Sequence, residues 1–411
     1  MASSKNKKKV SSTRKKQSTL RKIIGSIISI SMVVVIFYFL DYGGIFSFTS
    51  SSSSSSSSST TSSGSSTSLN LVENNTTLGE ISNPFISESC PIMETYFIEM
   101  VQQYGDAILI KCNNFEMLID AGQSSDGPNV KSILDDKVED GILDLLVITH
   151  PHSDHYGGIT TALLGIEKIN YILDFGYTRS SNVDYIKYNA LRENYVSKGA
   201  KYCPALYAIR EEYNCNDHIY ISSDTYIDVL DTKLYKDPSY VASSSFDFNG
   251  SSLTFLLHHK DVDYYYSGDL EETGERNIIG QIGEVDLMKA THHGTNSGNT
   301  KELLDSLNPE YVVISTSAYP SKVGSEDQHP YQEALDRIYS SSKIKNNFNV
   351  YLNMTMGTIK VLDDGNTITG LQGSEELWGG YEIDGVKITG ESNLKLHETA
   401  WFKAYRTLPS A

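Results

Sequence analysis

The sequence predicts an α/β fold preceded by one membrane-spanning helix and a serine-rich linker. Three observations carry this expectation. An uncharged apolar run lies near the N-terminus, a Ser/Thr tract follows it, and from about residue 90 short apolar strand-like segments alternate with helical periodicity.

Residues 1–22 form a basic tail expected on the cytoplasmic side. Lys5, Lys7, Lys8, Lys9, Arg14, Lys15, Lys16, Arg21 and Lys22 lie there, and the first acidic residue is Asp41. Residues 23–40 carry no charge and, at about 1.5 Å rise per residue, just span a hydrocarbon core. The flanking cations are expected to hold the N-terminus in the cytoplasm and put the following domain in the extracellular space. The run lacks a small-x-small cleavage signal directly after it, which favours an uncleaved membrane anchor over a signal peptide. Residues 41–89 read as a flexible linker, because 47–68 are almost all Ser and Thr and cannot bury apolar area.

The folded domain is expected over 90–370. Glu94–Glu99, Ala107–Cys112 and Phe115–Ile119 read as strands. Leu143–Thr149 is a mostly apolar run, broken by Asp144, the pattern of a strand buried on both faces. Ile169–Phe175 reads as a strand and Val183–Lys198 as a helix. Further strands are expected at Leu253–His258, Tyr264–Tyr266, Val285–Ala290, Tyr311–Ser315, Asn349–Asn353 and Thr358–Leu362, with a helix over Gln332–Ser341. Asp363-Asp364-Gly365-Asn366 is a hairpin turn. Residues 371–411 form a β-rich extension with strands at Tyr381–Ile383 and Val386–Thr389.

The formal charge is −17, and the basic tail hides how acidic the remainder is. Such a domain repels polyanions unless cations are concentrated in its cleft, which counts against nucleic acid as a partner. Four cysteines, with no CxxC pair, are too few for a disulfide scaffold. Cys203 and Cys215 either bridge in an oxidising compartment or serve as small packing residues.

The chemistry is concentrated in His150-Pro151-His152-Ser153-Asp154-His155, directly after the buried strand and before Gly157-Gly158. Imidazole and carboxylate suit borderline-hard divalent metals. Four donors in so short a loop exceed what one tetrahedral ion can take from it, so two ions are expected. Three other strands end in candidate residues. Phe115–Ile119 runs into Asp120-Ala121-Gly122, where Asp120 is placed to orient a ligand histidine. Tyr265-Tyr266-Ser267-Gly268-Asp269 ends in a carboxylate suited to bridge two cations. Val285–Ala290 runs into Thr291-His292-His293-Gly294. His329, in Gln328-His329-Pro330-Tyr331, is a candidate general acid or phosphate contact. His258-His259 reads as a solvent-exposed hairpin.

This order of motifs resembles the metallo-β-lactamase superfamily over most of residues 92–370. Gly105-Asp106-Ala107-Ile108-Leu109-Ile110, Leu118-Ile119-Asp120-Ala121-Gly122, Ser267-Gly268-Asp269-Leu270-Glu271 and His292-His293-Gly294 are similar to landmarks of the ComEC soluble domain. Val285–Lys289 through His292–Lys301 is also similar to the zinc-site segment of phosphorylcholine esterase. The resemblance implies a four-layer αβ/βα sandwich with two divalent ions, zinc or manganese, at its edge. It implies His150 and His152 on the first ion, Asp154 and His155 on the second, Asp269 bridging, His292 completing the second site and His293 contacting substrate. Asp154 would also accept a proton from a bridging water acting as hydroxide. The further histidine ligand of many members is absent from Asp247–Leu253.

The function expected is an extracellular, membrane-anchored metal phosphodiesterase acting on a cell-envelope or small phosphodiester. A ComEC-type nuclease and a non-catalytic surface binding module are the alternatives.

Overall fold

The computed structural model describes residues 85–410 except 87, 102–103, 178–181, 234–247, 318–327, 375–376 and 380. The expected anchor and most of the expected linker lie outside the described residues. Among the described residues no helix is long and apolar enough to cross a membrane.

The chain builds β1 (Met93–Phe97), β2 (Ile108–Cys112), β3 (Phe115–Ile119), β4 (Ile142–Ile148), β5 (Lys168–Asp174) and β6 (Lys201–Pro204). It then builds β7 (His218–Tyr220), β8 (Thr225–Leu230), β9 (Thr254–His259), β10 (Val262–Tyr266), β11 (Leu287–Lys289), β12 (Tyr311–Ile314) and β13 (Val350–Leu352). β14 (Ile359–Asp363) and β15 (Ile368–Gly373) return to the first set. The eight-stranded sheet has the order β15-β14-β1-β2-β3-β4-β5-β6, and the seven-stranded sheet β13-β12-β11-β10-β9-β8-β7. Each is antiparallel at one end and parallel at the other: β3 to β6 run parallel, as do β10 to β13.

Alternation along the strands explains the layers. Tyr264, Tyr266, Leu287 and Val313 share one core with Phe97, Leu109 and Leu118 of the first sheet. Their strand neighbours Tyr265, Met288, Val312 and Ile314 join a second core with Leu303, Leu304, Leu335 and Ile338 from the helices Lys301–Leu307 and Gln332–Ser340. The second sheet is therefore buried on both faces. On the first sheet, helices Gly127–Lys137 and Val183–Ser197 supply Val130, Leu134, Tyr185 and Tyr188 to the first core. This is a mixed α/β sandwich with helices flanking its sheets.

The mostly apolar run 143–149 falls on β4 (Ile142–Ile148), with parallel neighbours on both sides. The edge strands β6 and β7, the strand β8 beside β7, and the helices Gly127–Lys137 and Lys301–Leu307 have no counterpart in the sequence expectation. One expectation is corrected: His259 is fully buried, not solvent-exposed. It is bonded to Asp363 and to the Cys90 carbonyl, partners far away in the chain. Both cysteine pairs are bridged, Cys90 to Cys112 as well as Cys203 to Cys215.

Candidate metal centre

The parallel strands of both sheets end on the same edge, and the expected site residues gather there. β4 is followed by Thr149, whose N–H and hydroxyl donate to the two oxygens of Asp120, at 2.9 and 2.7 Å. Asp120 follows β3 with a left-handed backbone, φ 56°. Its Oδ2 also lies 2.7 Å from His155 Nδ1. A carboxylate at Nδ1 fixes that nitrogen as the donor and leaves Nε2 bare for a ligand.

β10 delivers Asp269 past Gly268, where a Cβ would stand 2.6 Å from Thr149 Oγ1. Glycine is what lets the strand ends of the two sheets approach this closely. β11 ends in a single 3₁₀ turn, Thr291–Gly294, in which His292 (φ 46°) and His293 (φ 54°) are both left-handed. Consecutive left-handed non-glycine residues are strained, and such strain concentrates at functional sites. Here the turn sends two adjacent rings to different partners. His293 Nδ1 lies 2.9 Å from the Ser315 carbonyl, and His292 Nδ1 3.1 Å from Glu271.

Three histidines therefore have Nδ1 held and Nε2 turned to Asp269. The distances are 3.1 Å from His155 and 3.6 Å from His292 to Oδ2, and 3.2 Å from His293 to Oδ1. Asp154 Oδ2 lies 3.8 Å from His155 Nε2 and 3.6 Å from His293 Nε2. Four donors around one ion at about 2.1 Å would stand about 3.4 Å apart. Moreover, His155 Nε2, His293 Nε2 and Asp269 Oδ1 are buried without a partner in hydrogen-bonding geometry. Buried polar atoms left bare cost about 1–3 kcal/mol each, so this arrangement is one that a cation satisfies. On the other side of Asp269, His150 Nε2 stands 3.7 Å from Oδ2 and 3.1 Å from His152 Nδ1.

The electrostatics follow from this packing. Burial opposes charge on His155, but Asp269 and Asp120 outweigh it and hold its pKa well above the usual histidine range. Burial likewise opposes charge on His293, and Asp269 and Asp106 push it up to about 9. Burial disfavours an ionised Asp269, yet His155, His293 and His292 hold its carboxyl well below the usual range. His150, buried and beside His155, is depressed.

Both histidines face Asp269, but the structure places His293, not His292, beside Asp154 as well, where the resemblance implies His292. His292 lies on the His150 side, facing Asp269 Oδ2, with Asn249 Nδ2 3.3 Å from its Nε2. His329 stands at the rim, its ring 6.2 Å from His293 and 4.7 Å from Tyr104. Tyr104 in turn stacks on His293 at 5.4 Å.

Asp106, Lys289 and Glu271 have no place in the sequence reading of the site. Asp106, just ahead of β2, approaches His293 Nδ1 at 3.5 Å and His155 Nδ1 at 3.9 Å, and pairs with the buried Lys289. One donor atom each from Asp106, His155, Asp269 and His293 lies within 4.8 Å of the others. Because Asp106 meets the Nδ1 edges and is neutralised by Lys289, it is better placed as an anchor behind the rings than as a fourth donor. The strand periodicity of residues 285–290 gave no sign that Lys289 would be buried.

These features define a class of protein. Residues 101–164 match the sequence model of the metallo-β-lactamase superfamily. It is similar to Recombination protein 2 of Haemophilus influenzae, 23% identical over 252 residues, which are 59% of this chain and 28% of that protein. It is also similar to ComE operon protein 3 of Bacillus subtilis, 25% identical over 202 residues, which are 49% of this chain and 23% of that protein. The chain thus spans about a quarter of the length of these curated relatives. A solved metallo hydrolase from the archaeon Ignicoccus hospitalis aligns at a TM-score of 0.35 and 14% identity, over 66% of this chain and 98% of that one.

Proposed function

We propose that this chain is a metal-dependent phosphodiesterase, held outside the cytoplasm by its N-terminal apolar segment. The observation that carries the reading is the set Asp154, His155, Asp269 and His293, whose histidine Nε2 atoms are buried and bare. These residues would hold one divalent ion, zinc or manganese. His150 and His152 would hold a second, with Asp269 between the two. When bound, such ions supply Lewis acidity and bring the pKa of water towards neutrality.

The chain's own groups supply the remainder. Asp154 is the most open carboxylate of the cluster, at 14% side-chain exposure against 1% for Asp269, and it is placed to accept a proton from attacking water. His329 at the rim is placed to give a proton to the leaving oxygen or to contact the phosphate. Asp120, the Ser315 carbonyl and Glu271 keep three rings aimed at Asp269, so little reorganisation is needed during reaction. Asp106, Asp120, Asp154 and Asp269 would repel an anionic diester from a bare cluster, so turnover should depend strictly on added metal.

The choice of a phosphodiester over an acyl or lactone substrate follows the resemblance of residues 265–271 and 285–301 to ComEC-type and phosphorylcholine-esterase segments. A cell-envelope or small phosphodiester is the expected substrate. Two disulfides that use all four cysteines support an oxidising, extracytoplasmic compartment. Likeness to Recombination protein 2 favours DNA as a second substrate class, and the acidic charge opposes it.

The test is hydrolysis of bis(p-nitrophenyl) phosphate by the protein with zinc or manganese, with chelator and Asp154→Ala as controls, and with duplex DNA and phosphorylcholine esters in parallel. Chelator-sensitive turnover lost in Asp154→Ala supports the reading. Bound metal with no turnover of any phosphoester overturns it.

A further inference from the structure

We propose that the segment 391–407, beyond the last strand of the first sheet, is part of the active centre, with Arg406 and Trp401 positioning His329. This rests on the reading of His329 as the rim group of the phosphodiesterase site.

The argument begins with backbone polar groups. Gln328 and Pro330, the two neighbours of His329, are buried. Their carbonyls need donors, because a buried carbonyl without one is costly. Arg406 supplies both: its Nη2 donates to the Gln328 carbonyl at 2.7 Å and its Nε to the Pro330 carbonyl at 3.0 Å. One rigid guanidinium thus straddles His329. The fork geometry of arginine allows this, and the single ammonium of lysine cannot reproduce it.

The side chain of Gln328 is fixed from the same segment. Trp401 Nε1 donates to Gln328 Oε1 at 3.0 Å, and the Arg406 guanidinium lies 4.9 Å from the Trp401 ring. Trp401 is fully buried on the helix Ala400–Tyr405, in the second core. That helix is capped by the Thr399 side chain, and Glu391 accepts from the Ala400 N–H at 2.7 Å. Further along, Gln332 and Thr407 exchange two hydrogen bonds, at 2.8 and 3.0 Å.

On the site side the same short loop is tied to the histidine turn. The Tyr331 N–H donates to the Gly294 carbonyl at 2.9 Å, one residue beyond His293. Gln328–Gln332 is therefore held between the turn that carries two site histidines and a segment nearly 80 residues later, with His329 at its centre. Among the described residues no hydrogen bond or ion pair joins the side chains of 391–407 to the donor cluster, so the effect passes through the loop Gln328–Gln332, which carries His329.

Steady-state kinetics on bis(p-nitrophenyl) phosphate, metal titration and amide hydrogen exchange on residues 1–411 test this together. Arg406→Ala should lower kcat about 10–100-fold, the scale of a small misplacement, with KM and metal affinity held. It should speed exchange in 328–332 and leave 150–155 unchanged. In a His329→Ala background the same substitution should cost nothing further, since the two act as one unit. Arg406→Lys should recover only part of the loss. An equal loss in both backgrounds, or unchanged exchange at 328–332, overturns the proposal. Should the wild-type protein turn over no phosphoester, the functional reading fails by itself. The exchange pattern and metal affinity then decide the positioning claim.

Discussion

Asp120 and His155 form the most completely buried pair in the centre: neither is exposed, and Oδ2 lies 2.7 Å from Nδ1. The other oxygen of Asp120 is taken by the Thr149 N–H, one residue before His150. One carboxylate therefore sets both the tautomer of His155 and the course of the backbone into the histidine motif. Asp120→Asn retains the shape but can present its amide to Nδ1, inverting the tautomer. The expected result is a roughly 10–100-fold loss of metal affinity and activity. Metal titration by calorimetry measures it, and affinity equal to wild type would count against the assignment.

His292 and His293 make a sharper comparison. Their left-handed turn gives His293 to Asp154 and Asp269 Oδ1, and gives His292 to Glu271 and Asp269 Oδ2. His293→Ala should weaken the ion held by Asp154, His155 and Asp269 by more than the roughly 10–100-fold that loss of an outer partner costs. His292→Ala should leave that ion bound. Metal content of the two purified variants separates the cases, and the reverse order would restore the arrangement implied by family resemblance.

A cluster remote from the centre predicts pH-dependent stability. His258 lies between Asp228 and Asp263, stacked on Tyr226 beside His218. Burial works against its charge, but the carboxylates of Asp228 and Asp263 outweigh it and push its pKa up to about 9. An unfolded histidine titrates near 6.5. The charged form therefore stabilises the fold fully below about pH 6.5, and this contribution is lost as the pH rises through about 9. His258→Gln should be destabilised at pH 6 and match wild type near pH 10. Thermal melting across that range checks the sign.

Cys203–Cys215 closes a short loop, at a sequence separation of 12. Replacing both by alanine should cost about 3 kcal/mol on the chain-entropy estimate. Denaturant unfolding with and without reductant should show the variant insensitive to reductant at this position.

The sequence made much of this legible, for a physical reason. A strand buried on both faces is rich in apolar residues, so Leu145–Ile148 announced itself, and the polar residues after it stood out. Asp120, Asp269 and the His292-His293 pair were visible because each also ends a strand. The rest depends on long-range approach. Asp106 and Lys289 meet across 183 residues, and nothing local distinguishes a buried lysine at a strand end from an exposed one. His259 read as exposed because its partner, Asp363, lies 104 residues away. The assignment of His292 and His293 turned on two backbone angles that composition does not encode.

The pairing of β1 with β14 has a consequence for how the chain reaches its native state. Met93 lies opposite Asp363 in that ladder, so the first sheet cannot close until nearly the whole domain has been synthesised. Contacts so distant in sequence form slowly, and the waiting chain exposes apolar strand edges that invite aggregation. The Cys90–Cys112 bridge joins the open end of the β1–β2 hairpin, which is complete locally once Cys112 has emerged. It gives the nascent chain a covalently held hairpin on which β14 can later assemble, so an oxidant would be needed early in folding rather than only to finish it.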